Sequence, residues 1–296
     1  MQIPIFPEVA NLPRHFDVEP FRPQLLKWVG NKQRFAHEII SYFPQEYGVY
    51  FEPFLGSGAV LSTLQPTRAL ASDISLPLME IFFTLQNDPD LLCQWYAERW
   101  HRMDQGEKKE IYLDIRGAFN ESPNAADLVF ISRSCYGGVI RYRRSDGYIS
   151  TPVGAHRPIA PETFEGRVKE WHRRTRYVDF RHTTYSEAMA MAQPGDLIYC
   201  DPPYQHSESV LYGAQSFELA HLLECIKECK ARGVYVVLSI DGTKRSGDYI
   251  CDLPIPEGLF EREVYVNVGR SMLKRFQMKD KSLEDHAVTD RLMLTY

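Results

Sequence analysis

Asp201-Pro202-Pro203-Tyr204 places one acid, two prolines and one flat ring side by side, directly after the apolar run Leu197-Ile198-Tyr199-Cys200. That run reads as a buried parallel strand, so the four residues form a corner at the carboxyl edge of a sheet, where open α/β sheets carry their ligands. The prolines fix φ and lack an N–H, which leaves the corner rich in carbonyl acceptors and poor in donors. With the Asp201 carboxylate and the Tyr204 ring added, the corner suits a planar ring bearing an exocyclic amino group, adenine or cytosine above all. The competing reading is a Pro-rich turn that Asp201 merely caps.

A second constellation runs from Val49 to Val60 and reads as strand, Gly-rich turn, then helix. Gly56 and Gly58 let the backbone approach a ligand closely, and the helix N-terminus behind them favours acceptors or anions. The short strand Ala69-Leu70-Ala71-Ser72 ends in Asp73, an acid placed to accept hydrogen bonds from a ribose diol. The third glycine of the dinucleotide fingerprint is missing. The pattern therefore favours a nucleoside-type cofactor over a pyrophosphate, and leaves a nicotinamide-dependent oxidoreductase as a distant alternative.

The elements needed to position these residues are those of a parallel α/β sheet interrupted by an insertion. Strands are expected near 48–53, 69–73, 177–180, 196–200, 234–240, 264–268 and 291–296, the last two forming an antiparallel closing pair. Helices are expected at 33–43, 58–65, 76–86, 89–103, 107–119, 185–192 and 216–231, with a further helical stretch over 128–132. Between them, Tyr136-Gly137-Gly138 opens a segment of alternating residues around Ser145-Asp146-Gly147, a strong hairpin signal. The first hairpin strand carries Arg141, Arg143 and Arg144.

With 296 residues, 44% of them hydrophobic and 25% charged, the chain has the composition of a globular protein and not of a disordered one. No apolar run is long enough to span a membrane. Met1 to Pro20, broken by four prolines, reads as an extended arm and not as a signal peptide. The six cysteines form no C-x-x-C pair or Cys/His metal spacing, so no metal is expected and reduced thiols fit a cytoplasmic protein. The net charge of −5 hides an uneven distribution: residues 131–182 hold 11 Lys/Arg against 5 Asp/Glu. A basic block on an acidic body is the footprint expected for phosphate contact, although a solvated face reads the same way. His206 reads as a substrate-side loop residue, with a proton acceptor as the alternative; Lys244-Arg245, Arg270 and Lys274-Arg275 read equally as phosphate contacts or as solvated turns.

Taken in order, Lys27-Trp28-Val29-Gly30-Asn31-Lys32, Phe51 to Gly58, Ser72-Asp73-Ile74, Tyr136 to Gly154, Asp201 to Tyr204 and Asp290 to Tyr296 resemble the Dam-type family of DNA adenine-N6 methyltransferases. The likeness runs from about residue 24 to the C-terminus. It implies a Rossmann-like S-adenosylmethionine-dependent methyltransferase sheet with an inserted helical plus β-hairpin DNA-recognition domain. The implied division is an arm (1–23), a catalytic domain (24–75 and 176–296) and a target-recognition insertion (76–175). By the same resemblance Trp28, Lys32, Phe54, Gly56, Gly58, Asp73 and Asp201 bind the cofactor, S-adenosylmethionine. Asp201, Pro202 and Tyr204 hold the target adenine, Tyr136 wedges into the duplex, and Arg141, Arg143 and Arg144 contact DNA, Arg141 at a base edge.

The implied activity is methyl transfer to N6 of a flipped-out adenine in duplex DNA, by a monomer in the cytoplasm of a bacterial, archaeal or phage-infected cell. A restriction–modification system with a companion endonuclease, or an orphan or phage methylase, is the implied setting. Two departures bear on the recognition sequence. The family's GATC readers carry an Arg where this chain has Ala155, and Gly137 replaces a family Asn. The alternatives are an amino-methyltransferase acting on RNA or another nucleobase, and a non-catalytic DNA-binding relative.

Overall fold

Short runs of alternating inward and outward apolar residues build a seven-stranded sheet in the computed structural model, which describes residues 18–143, 145–203, 217–241, 255–269 and 288–296. The strands are β1 (Tyr50–Glu52), β2 (Ala69–Asp73), β3 (Val178–His182), β4 (Leu197–Cys200), β5 (Tyr235–Asp241), β6 (Arg262–Gly269) and β7 (Val288–Leu294). Their order is β3-β2-β1-β4-β5-β7-β6. β1 to β5 are parallel, and β7 runs antiparallel between β5 and β6. The expected parallel sheet with an antiparallel closing pair is what forms.

Burial on both faces explains why Tyr50-Phe51 of β1 and the whole of β4 are apolar. Tyr50, Leu197 and Tyr199 face one apolar cluster; Phe51, Ile198 and Cys200 face the other. The first cluster draws on α1 (Ala36–Ile40), α2 (Ala59–Leu64), α3 (Leu76–Asn87), α4 (Pro89–Gln105), α5 (Lys108–Glu121) and α6 (Ala125–Ser134). The second draws on α8 (Tyr185–Ala190) and α9 (Leu219–Ala231). The first core is continuous across residues 75/76 and 175/176, where the domain boundaries are expected.

Helix α7 (Pro161–Thr175) has no counterpart among the expected elements. Its buried residues Phe164, Val168, Trp171 and Thr175 recur at three- and four-residue steps, a helical stripe that begins behind Pro161 in the first turn. Through it the insertion grips the segment leading to Lys27 and Trp28. Trp171 Nε1 donates to the Pro23 carbonyl at 2.9 Å, Arg167 to Gln24 at 2.8 Å, and Arg133 of α6 to Gln24 and Leu25, both at 2.9 Å.

The expected hairpin is present but short: Tyr142 and Ile149 form an antiparallel bridge, flanked by hydrogen bonds from the Arg143 N–H to the Tyr148 carbonyl at 2.9 Å and from the Ser150 N–H to the Arg141 carbonyl at 3.0 Å, with a second bridge from Cys135 to Val153. The ladder is cut short because side chains take its donors: the Arg141 N–H goes to Thr151 Oγ1 at 2.8 Å and the Tyr148 N–H to Asp146 Oδ1 at 3.1 Å. The Asp-Gly turn itself is present, with Gly147 N–H donating to the Arg143 carbonyl at 2.9 Å. At the segment's other end Gly138 adopts φ +68° against the stem of Lys27, where a Cβ would come within 2.6 Å of that residue's own Cβ. No other residue type fits there without moving one of the two segments.

Trp171 is the largest fully buried side chain. Trp171→Ala is expected to cost about 3–5 kcal/mol by leaving a cavity and an unmet Pro23 carbonyl. Urea unfolding of the variant checks this; a loss below about 1 kcal/mol would remove α7 as the clamp on residues 18–28.

Candidate active site

Three parallel strands deliver an acid to the same edge of the sheet. β1 ends in Glu52, β2 ends in Asp73, and Asp201 follows β4. The chain leaves β1 for β2 on one side, while β4 lies on the other. A crevice forms at such a reversal of strand order, and here it is lined by Trp28, Lys32, Glu52, Phe54, Gly56, Asp73, Asp201 and Pro202.

Seven of the residues singled out from the sequence therefore meet in one cavity. Gly58 does not line it. Gly58 caps α2, and a Cβ there would meet Trp171, Leu55 and Phe82 at 3.3–3.4 Å, so its place is in the packing behind the turn. Tyr136 (44% exposed), Arg141 and Arg143 stand outside the cavity on the surface of the insertion. Tyr204, Arg144, His206, Lys244-Arg245, Arg270, Lys274-Arg275 and residues 1–17 of the arm lie outside the described residues.

Asp73 cross-links the glycine turn. Its carboxylate accepts from the Gly56 N–H at 3.1 Å and the Ser75 N–H at 3.0 Å. Burial pushes its pKa up, and these backbone donors oppose that shift. A carboxylate has about four acceptor sites, so capacity remains for the hydroxyls of a diol.

Lys32 is buried between two carboxylates, its Nζ 3.1 Å from Asp201 Oδ1 and 2.9 Å from Asp290 Oδ2. Burial works against its charge, but Asp201 and then Asp290 outweigh it and hold the ammonium well above its usual pKa. Glu52 is buried as well and accepts from the Tyr50 hydroxyl at 2.6 Å. Burial, with the Asp201 charge adding to it, pushes its pKa up to about 8, against the pull of Tyr50. Glu52 therefore holds a proton at neutral pH.

The opposite wall is aromatic. Phe54 stacks on Tyr185 with ring centroids 5.0 Å apart, Phe217 meets Phe54 edge-on at 5.9 Å, and the Tyr185 hydroxyl pairs with His221 Nδ1 at 2.7 Å. Tyr142 reaches the cavity from the insertion, and burial, with the Asp73 charge adding to it, pushes its phenol up. Glu52, Tyr142, Tyr185, Phe217 and Asp290 carry no assigned role in the sequence reading. Glu52 could have been found by the signal that marked Asp73, an acid closing an apolar strand; the others depend on tertiary placement. The residues present fit a nucleoside-type cofactor bearing positive charge, with acids around an apolar, ring-lined slot.

The basic block resolves into separate roles. Arg133 is buried under carbonyls, Arg173 and Arg174 pair with Glu170, Arg181 with Asp179, and Arg157 with Asp104. Arg143 forks Asp146 and lies over the Tyr148 ring at 4.1 Å.

The model of the D12 class of N6 adenine-specific DNA methyltransferases matches residues 28–268. That span holds the cavity, the glycine turn and the insertion. The chain belongs to the D12 class of N6 adenine-specific DNA methyltransferases. Among its relatives, a DNA adenine methylase of Vibrio cholerae serotype O1 is 30% identical over 229 residues, covering 72% of this chain and 79% of the relative. A Type II methyltransferase, M1.LlaDCHI, of Lactococcus lactis subsp. cremoris is 26% identical, covering 72% and 79%. The DNA N-6-adenine-methyltransferase of Escherichia phage P1 is 29% identical and covers 75% of this chain and 30% of the relative. Among solved structures, the rRNA methyltransferase aviRa from Streptomyces viridochromogenes aligns with 88% of this D12-class chain and 84% of its own. The identity is 11% and the TM-score 0.38, too low to bear on function. No helix among the described residues of this methyltransferase is long and apolar enough to cross a membrane.

A buried acid whose pKa is raised by folding binds more protons in the native state than in the unfolded one. Its contribution is present below the unfolded value and is lost as pH rises through the folded value. For Glu52 the window runs from 4.5 to about 8. Across it, wild type should lose stability relative to Glu52→Gln by up to about 1.4 kcal/mol per pH unit. Thermal melts of both proteins from pH 5 to 8 measure this, and parallel curves would contradict the buried, protonated Glu52.

Proposed function

We propose that this D12-class enzyme transfers a methyl group from S-adenosylmethionine to N6 of an adenine rotated out of duplex DNA. One observation carries the reading: Asp201 and the Pro202 corner open into the same cavity as the Gly56 turn and Asp73. A nucleoside cofactor held at Asp73 and a base amine held at Asp201 would then meet within one crevice.

When bound, S-adenosylmethionine supplies an electrophilic methyl group. Asp73 would accept hydrogen bonds from the ribose hydroxyls, and the Phe54, Tyr185 and Phe217 rings would bound the slot. The N6 lone pair of adenine is delocalised into the ring and makes a poor nucleophile. Asp201 and the Pro202 carbonyl would accept hydrogen bonds from the two N6–H groups, draw the nitrogen toward tetrahedral geometry and aim its lone pair. Once the N–CH3 bond has formed and the cofactor has left as a thioether, the amine sheds one proton to solvent. This is catalysis by positioning and electrostatics, without a covalent enzyme intermediate. Tyr204 would add base stacking of about 1–3 kcal/mol.

Extruding the base costs a few kcal/mol, and the exposed Tyr136 is suited to offset part of this by filling the vacated stack. Arg141, exposed and held by its backbone to Thr151, would read a base edge. Arg143 and Arg144 would contact the DNA backbone, Arg143 after leaving Asp146. Ala155 and Gly137 set the site apart from GATC readers. The partner is double-stranded DNA, met by a monomer in the cytoplasm, and a companion restriction endonuclease is the setting that the Type II relative suggests. RNA is the second acceptor to test, by label transfer from the cofactor to duplex DNA against RNA.

Asp201→Ala is expected to lower kcat on duplex DNA by about 10²–10⁴-fold. The fold should survive, because Asp290 still balances the buried Lys32. A purified, folded Asp201→Ala enzyme that methylates DNA at near wild-type rate would overturn the assignment. Arg141→Ala should relax one position of the recognition sequence, with about 1–3 kcal/mol of discrimination lost there. Sequencing of methylated sites checks it, and an unchanged profile would remove Arg141 from base readout.

A further inference from the structure

Asp290 lies beyond residues 28–268, the span that the family model matches, and far along the chain from the Asp201 corner. The topology nevertheless delivers it to the same edge. β7 runs antiparallel to β5, so its amino end lies where the parallel strands have their carboxyl ends, and Asp290 pairs in register with Asp241 at the end of β5. There it is buried, at 5% exposure, and its Oδ2 stands 2.9 Å from Lys32 Nζ, with Asp201 Oδ1 3.1 Å from the same ammonium.

We propose that Asp290 is a positioning residue for methyl transfer: by sharing Lys32 it sets both the orientation and the acceptor strength of Asp201. This rests on the reading of Asp201 given above. A buried lysine with a single carboxylate partner would concentrate its charge on that partner. Asp201 would then turn its lone pairs toward Lys32 and would accept more weakly from an amine in the cavity. With a second carboxylate on the ammonium, Lys32 is anchored by Asp290 and only part of its charge falls on Asp201. Asp201 stays fixed at the corner yet keeps acceptor capacity facing the cavity. Among the described residues, Tyr199 and Glu52 add to the titratable surroundings of this trio, and Asp241 lies opposite Asp290 in the backbone register.

Asp290→Asn keeps the shape and an acceptor oxygen while removing the charge. It is expected to lower kcat about 10- to 100-fold, the value of one hydrogen bond to a charged group, and to leave KM for S-adenosylmethionine and the melting temperature close to wild type. Independently of activity, the ε-nitrogen resonance of Lys32 in ¹⁵N-lysine-labelled protein without cofactor should move in the variant. Asp290→Glu, which keeps the charge, should lose less activity than Asp290→Asn, and it decides the matter if Asp290→Asn does not fold. An unmoved Lys32 resonance, a wild-type kcat in Asp290→Asn, or an equal or larger loss in Asp290→Glu overturns the proposal. A wild-type protein unable to methylate duplex DNA would instead sink the functional reading, while the resonance still reports whether Asp290 holds Lys32.

Discussion

Glu52, Asp73, Asp201, Asp290 and the Lys32 ammonium meet at the carboxyl edge of the sheet, and settling their charges while keeping them ordered is the constraint on which the site depends. Unpaired charge removed from water costs several kcal/mol per ion, so acids at the ends of three adjacent buried strands cannot all remain charged without help. Each is handled differently. Asp73 is met by backbone N–H groups of the glycine turn, Glu52 takes a proton and the Tyr50 hydroxyl, and Asp201 shares Lys32 with Asp290. The result is an edge that stays folded with acceptor oxygens lining the cavity, as the proposed cationic, diol-bearing ligand and amine require.

Holding Lys32 in place is in turn a problem of chain anchoring. The segment carrying Trp28 and Lys32 belongs to no strand, and its carbonyls at Pro23, Gln24 and Leu25 are met by side chains of α6 and α7. These helices lie in the part of the chain that carries the residues proposed to meet DNA. The same insertion sends Tyr142 into the cavity and presses Gly138 onto Lys27. The residues proposed for the cofactor and those proposed for DNA thus rest on one apolar core.

Much of this was legible in the sequence because the signals were local. An apolar run closed by Asp201 and two prolines, or by Asp73, defines a strand end whatever surrounds it, and the glycine turn marks the passage from β1 into α2. What was missed falls into two kinds. α7 carried a readable stripe of Phe164, Val168, Trp171 and Thr175, obscured by the arginines that made the segment look like a solvated basic face. The roles of Asp290, Tyr142 and Phe217 were not readable at all, since Lys32, Asp73 and Phe54 meet them from distant parts of the chain. The basic block shows the same limit: net charge counts Arg133 and Arg174 alike with Arg141, although burial and pairing with Glu170 commit the first two to the fold.

The central claim is that this edge places a methyl group on the exocyclic nitrogen of adenine in duplex DNA. Nucleoside mass spectrometry after incubating duplex DNA with the purified protein and methyl-deuterated S-adenosylmethionine tests it most directly. Deuterated N6-methyldeoxyadenosine is the expected labelled product. Label in N4-methylcytosine, or in RNA and not in DNA, would contradict it.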